Sequence, residues 1–221
     1  MRSALTAEWT KLRTTPGAAG LLLITVASTV GLGAAVCAVA TDPHDAARLA
    51  LSGVYLGQAP VAVLGVLTVS GEYSTGLIRT TLAAVPARPT VVAAKALVLA
   101  VAVAAVAGPA LLVSVLVAKM IGLSLAGEPM LRAAAGSGVY LVLIAMLSLG
   151  TAAVVRDSAA AIGTVLGLLY LPPILTAMVT NPHLHRLLDR VAPISGGLGV
   201  LAAWSGVFLM VGTLLLRSRD I

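Results

Sequence analysis

Residues 95–119 read KALVLAVAVAAVAGPALLVSVLVAK, a lysine at each end and no charge between them. The two lysines are 24 positions apart, so a helix joining them is about 36 Å long at roughly 1.5 Å per residue. A bilayer hydrocarbon core is about 30 Å thick. The lysines therefore fall where the two water interfaces would lie, and Arg132 and Arg156 bracket a second stretch in the same way. Working outward, uncharged apolar stretches cover 17–40, 50–70, 92–118, 133–155, 158–180 and 194–216, and Lys95 is the one charged residue inside them, a turn from an interface and expected to snorkel. The fold class expected is an all-α integral membrane protein of six transmembrane helices.

Composition agrees. Of 221 residues, 59% are hydrophobic and 10% charged, with a mean hydropathy of +1.06; a soluble domain carries about 25% charged residues. Six spans use more than half of the chain, so a single transmembrane domain over 1–221 is expected, with no folded soluble domain beside it. The net charge of +6 raises nucleic acid as a partner and does not support it. The basic residues stand at the ends of apolar stretches and form no basic face, which fits contacts to the lipid bilayer instead. Cys37, the only cysteine, reads as a small apolar residue of the first span. The apolar run to Thr41 is too long for a signal-peptide core and reads as an uncleaved span.

Residues 1–16 precede the first span. Leu5, Trp9 and Leu12 recur at helical spacing, with Glu8, Lys11 and Arg13 on the remainder; this predicts an amphipathic surface helix ended by Pro16. Gly53/Gly57 in the second span and Gly163/Gly167 in the fifth form GxxxG pairs suited to close helix packing. Pro60, Pro109 and Pro172-Pro173 favour kinks, and the prolines of the fifth span predict a broken helix end over 174–192. With the N-terminus inside, nine Lys and Arg lie on the inner side and five on the outer, a bias that places both termini in the cytoplasm.

Catalytic and metal chemistry find little support. No histidine lies in a span to serve Ser137 as a base, and His183 and His185, with Asp189 beyond, do not share a helix face. No site residue is assigned to catalysis, to a cofactor or to a metal. The connection 71–91 is different. Leu77, Ile78, Thr81, Leu82 and Val85 recur at helical spacing before Pro86, predicting a short amphipathic helix between the second and third spans. An inert re-entry loop is the alternative.

Glu72, Gly76, Leu77, Leu82, Pro86, Arg88 and Lys95, in that order, resemble the ABC transporter type-2 permease family, as does Glu8-Trp9-Thr10-Lys11-Leu12-Arg13 at the N-terminus. The resemblance implies the membrane subunit of a bacterial exporter in the plasma membrane, paired with a second permease copy or a paralogue and driven by a separate ABC ATP-binding subunit. It implies that the loop after the second span, with Glu72, Tyr73, Gly76, Leu77, Ile78, Arg79, Leu82, Pro86 and Arg88, is the coupling helix that seats in that ATPase. The chain itself contains no G-x-x-x-x-G-K-[ST] phosphate loop, so an ATP-driven role needs such a partner. Spans rich in Ala, Val, Leu and Gly suit an apolar or amphipathic cargo. The other classes to weigh are a stand-alone secondary transporter, which the lack of ionisable groups inside the spans disfavours, an intramembrane enzyme, and a membrane anchor or assembly factor for another complex.

Overall fold

The computed structural model describes residues 2–39, 46–76, 88–121, 128–178 and 197–218. Among them the chain is all-α, in the order α1 (Arg2–Thr14), α2 (Pro16–Val39), α3 (Ala46–Ala50), α4 (Val54–Ser74), α5 (Arg88–Met120), α6 (Glu128–Val155), α7 (Ser158–Met178) and α8 (Gly197–Ser218). Six of these, α2 and α4 through α8, are long and apolar enough to cross a membrane. The protein is a multi-pass membrane protein of all-α class.

Pro16 separates α1 from α2. It has no N–H to give the carbonyl one turn back, and its fixed φ suits the first position of a new helix. Thr15 closes the corner, its hydroxyl donating to the Lys11 carbonyl at 2.7 Å. The other prolines sit inside continuous helices: Pro60 in α4, Pro109 in α5, and both Pro172 and Pro173 in α7. The expected break at 172–173 is absent, since α7 runs on to Met178. Each proline deletes one donor, and the surviving backbone bonds carry the helix through. The remainder of the broken end expected over 174–192, from 179 on, lies outside the described residues.

The α6 helix is the hub, packed against α4, α5, α7 and α8, while α2 leans on α4 and α5. Leu141, Ile144, Leu147 and Leu149 of α6 are fully buried, with Val61 and Val66 of α4, Leu99 of α5, Val165 of α7 and Leu201 of α8 around them. Burial is 67% for the α4 span and 56% for the α6 span, against 22%, 17% and 17% for α2, α7 and α8; the last three present most of their surface outward. Close approach depends on glycine at several crossings, two of which are the tightest of their pairs. A Cβ on Gly53 would lie 1.7 Å from the Thr29 carbonyl oxygen of α2, and one on Gly150 would lie 2.7 Å from the backbone of α8. Ser70, Ser114, Ser148 and Thr151, buried inside the spans, donate to carbonyls four residues back, so these four enter the apolar interior without losing a hydrogen bond.

Candidate functional site

At the end of the bundle where α1 lies, four charges from three helices converge. Glu8 and Lys11 stand one turn apart on α1, Glu72 is in the last turn of α4, and Lys95 is in the third turn of α5. The Lys95 amine donates to Glu8 Oε2 at 2.7 Å, to Glu72 Oε1 at 2.6 Å and to the Thr68 carbonyl at 3.4 Å, which uses its three protons. The Lys11 amine donates to Glu8 Oε1 at 3.0 Å and to Glu72 Oε1 at 2.7 Å. Glu8, Glu72 and Lys95 are buried, at 6%, 7% and 3% exposure, whereas the Lys11 side chain is 41% exposed. Two acids and two bases make the cluster formally neutral, which is how so many charges can leave water together. Burial pulls the Lys11 amine down, but its hydrogen bonds to Glu72 and Glu8 and the charges of those carboxylates outweigh it, so its pKa stands above the ordinary lysine value.

This arrangement corrects one reading of the sequence. Lys95 does not snorkel; it is held inside by two carboxylates. What holds α1 to the bundle was not read from the sequence. Ala4 and Glu8 are its buried residues, Leu5 and Leu12 are half-buried, and Trp9 is exposed. The signal for Glu8 lies on another helix 87 positions away, where periodicity within α1 cannot register it.

The end of α4 is built from residues singled out in the sequence. Thr75 and Gly76 close the helix through bonds to the Gly71 and Tyr73 carbonyls, and Gly76 takes φ +72° with open space around its α-carbon. The left-handed turn, not crowding, is what calls for glycine there. The Arg156 guanidinium stacks over the Tyr73 ring at 5.2 Å, bringing the α6–α7 corner to the same end of the bundle. Arg156 has φ +64°, and Asp157 Oδ1 accepts from the Ala160 N–H at 2.7 Å to cap α7. Of the remaining coupling residues, Leu77, Ile78, Arg79, Leu82 and Pro86 lie outside the described residues, and Arg88 is described only as the backbone that opens α5. His183, His185 and Asp189 also fall outside them.

Beside the charge cluster is a cavity of about 370 Å³ between α1, α2, α4 and α5. Leu21, Leu64, Leu67, Val98 and Leu99 wall it, and the four charged residues line its polar end. Glu72 lines it, and its Oε2 is buried with no hydrogen-bond partner. A second polar group sits in the bundle interior. Gln58 of α4 is fully buried and accepts a hydrogen bond from the Tyr140 hydroxyl of α6, while the Tyr170 hydroxyl of α7 donates to the Tyr55 carbonyl at 2.8 Å. These bonds tie α4 to α6 and α7.

Comparison with known proteins finds no family model that matches this chain and no curated protein that matches it in sequence.

Proposed function

We propose that this chain is the membrane-spanning subunit of an ATP-driven exporter, working as a pair with a second copy or a related permease and moving an apolar or amphipathic substrate. In this reading both termini face the cytoplasm of a bacterial cell, and a separate ABC ATP-binding subunit docks on the segment between α4 and α5. The observation that carries the reading is the charge cluster. It ties α1 to the end of α4 and the beginning of α5, the two helices that the 77–87 segment joins. A displacement of that segment is then passed to three helices at once, and through α4 to the hub helix α6. A coupling element needs this kind of rigid root, and an inert loop does not.

The test is a double substitution in the segment. Leu77 and Leu82 fall on one face of the expected amphipathic helix, and burying a leucine is worth roughly 1.5–3 kcal/mol, which is about tenfold or more in affinity. Leu77→Asp with Leu82→Asp, co-expressed with an ABC ATP-binding subunit that co-purifies with the wild-type chain, should insert normally. It should no longer co-purify with that protein or stimulate its ATP hydrolysis. Wild-type association and hydrolysis in the double variant would refute the coupling role.

A further inference from the structure

The cavity under α1 has the composition of a binding site. Its volume of about 370 Å³ is in the range that encloses a small ligand, roughly 300–1,000 Å³. Its walls are leucine and valine, and its polar end is the charge cluster. The hydrogen-bond inventory of that end decides the chemistry of the headgroup. Lys95 has spent all three protons on Glu8, Glu72 and Thr68. Both Glu8 oxygens are occupied, one by each lysine. Glu72 Oε1 takes both amines, and Glu72 Oε2 takes none, although the side chain is 91% buried. A carboxylate oxygen withheld from water and left unpaired is costly. The unmet demand at this site is therefore for a donor, not for an acceptor.

We infer that this cavity binds a long-chain primary ammonium amphiphile, its hydrocarbon tail between α2, α4 and α5 and its ammonium on Glu72 Oε2. An N–H to carboxylate bond is charge-assisted and about twice as strong as a neutral one, so the ammonium is preferred to an alcohol. An anionic headgroup is disfavoured, because it would meet the buried Glu8 and Glu72 carboxylates and find no proton left on Lys95. The terminal torsion of glutamate is soft, so binding requires a turn of the carboxyl that brings Oε2 to the cavity and carries Oε1 with it, within reach of the flexible Lys11 and Lys95 amines that hold it. The same headgroup chemistry is offered by an aminophospholipid of the bilayer and by a single-chain amine. The site stands on its own geometry and does not depend on the exporter reading.

The glycines of the cavity allow it to be filled without touching the charges. Gly71 of α4 and Gly17 of α2 line it, and a Cβ at either meets nothing within 4 Å. Gly71→Leu and Gly17→Leu should therefore fold and occlude it from opposite walls. Gly31, with equally open space and outside the cavity lining, supplies the control Gly31→Leu. The full chain in phosphatidylcholine nanodiscs would be titrated with dodecylamine, dodecyltrimethylammonium, dodecanol and dodecanoate, following the thermal unfolding midpoint. The expected result is a saturable rise with dodecylamine in wild type and Gly31→Leu. Both cavity-filling variants should lose it, and the other three probes should bind at least about tenfold more weakly. The trimethyl compound carries the charge without a proton to donate, so it separates a hydrogen bond from simple attraction. Equal stabilisation by dodecanol or dodecanoate, no stabilisation by dodecylamine, or an undiminished dodecylamine effect in both cavity-filling variants would overturn the assignment. Native mass spectrometry of protein from nanodiscs containing phosphatidylethanolamine then identifies the source. Retention of that lipid by wild type but not by Gly71→Leu assigns the site to a bilayer lipid; retention of dodecylamine alone assigns it to a single-chain amine.

Discussion

Lys95 shows what a single residue can conceal. In sequence it is a charge one turn inside an apolar stretch, and length alone lets its side chain reach an interface. In the structure it is 3% exposed, and its partners lie 87 and 23 positions away. Hydropathy reads each stretch separately, so a pairing between helices leaves no periodic trace in any of them. Glu72 was legible as a feature of the α4 end, while its sharing between Lys95 and Lys11 became visible only with the helices assembled. The cluster also ranks its members. Lys95→Met leaves two buried carboxylates to share the half-exposed Lys11 amine and should cost up to about 3–5 kcal/mol, the usual penalty for breaking a buried ion pair. Lys11→Met removes an amine that is 41% exposed and leaves Glu8 and Glu72 on Lys95, so solvent screening makes its loss much smaller. Thermal unfolding of the two variants in detergent gives the comparison. Equal losses would mean that the cluster does not act as a buried unit.

The six spans were legible because the absence of charge over a bilayer thickness is a signal that tertiary structure does not alter. Their ends were less so. The α4 helix runs to Ser74 and α5 begins at Arg88, since both extend past the apolar stretch into the region where the charge cluster holds them. α1 was legible as a helix, from its spacing and from Pro16, and its docking face was not, because the decisive contact is ionic. That contact makes the attachment of α1 sensitive to alkali. The folded-state pKa of Lys11 is raised above its ordinary value by Glu72 and Glu8. A raised base contributes stability that is complete below the unfolded pKa and is lost as pH climbs through the folded one. Detachment of α1 is therefore expected on the alkaline side of the ordinary lysine range, not near neutrality. Trp9 on α1 reports it by emission, with Trp204→Phe removing the other tryptophan. Lys11→Arg, which stays charged at higher pH, should move the transition upward. A transition below pH 8, or one unmoved by Lys11→Arg, would assign the change to another group.

At the scale of the whole molecule, two GxxxG pairs of similar spelling have opposite fates. Gly53 and Gly57 of α4 are consumed inside the protomer, where added Cβ atoms would lie 1.7 Å and 2.1 Å from Thr29 of α2. Among the described residues, a Cβ on Gly163 of α7 meets nothing within 4 Å, and one on Gly167 touches only Leu171 of its own helix. Sequence could not separate these cases, because the motif records a capacity for close approach and not the identity of what approaches. The α7 span is also among the least buried, with Leu171, Ile174 and Leu175 exposed. If the chain works as a pair, as proposed above, the small-residue face of α7 is a better candidate for the seam than that of α4, which is already occupied. The two motifs should then respond oppositely to added bulk. Gly53→Ala forces α2 and α4 apart and should destabilise the protomer by several kcal/mol, the range of severe core overpacking. Gly163→Leu should leave the unfolding midpoint of the protomer unchanged and weaken self-association, with Gly206→Leu on α8, another glycine in open space, as the bulk-matched control. Energy transfer between labelled copies in nanodiscs measures the association, and thermal unfolding at low protein-to-lipid ratio measures the protomer. A pair that survives Gly163→Leu as well as it survives Gly206→Leu would move the seam away from α7. A Gly163→Leu protomer that unfolds as readily as Gly53→Ala would show instead that the face of α7 is part of the protomer's own packing.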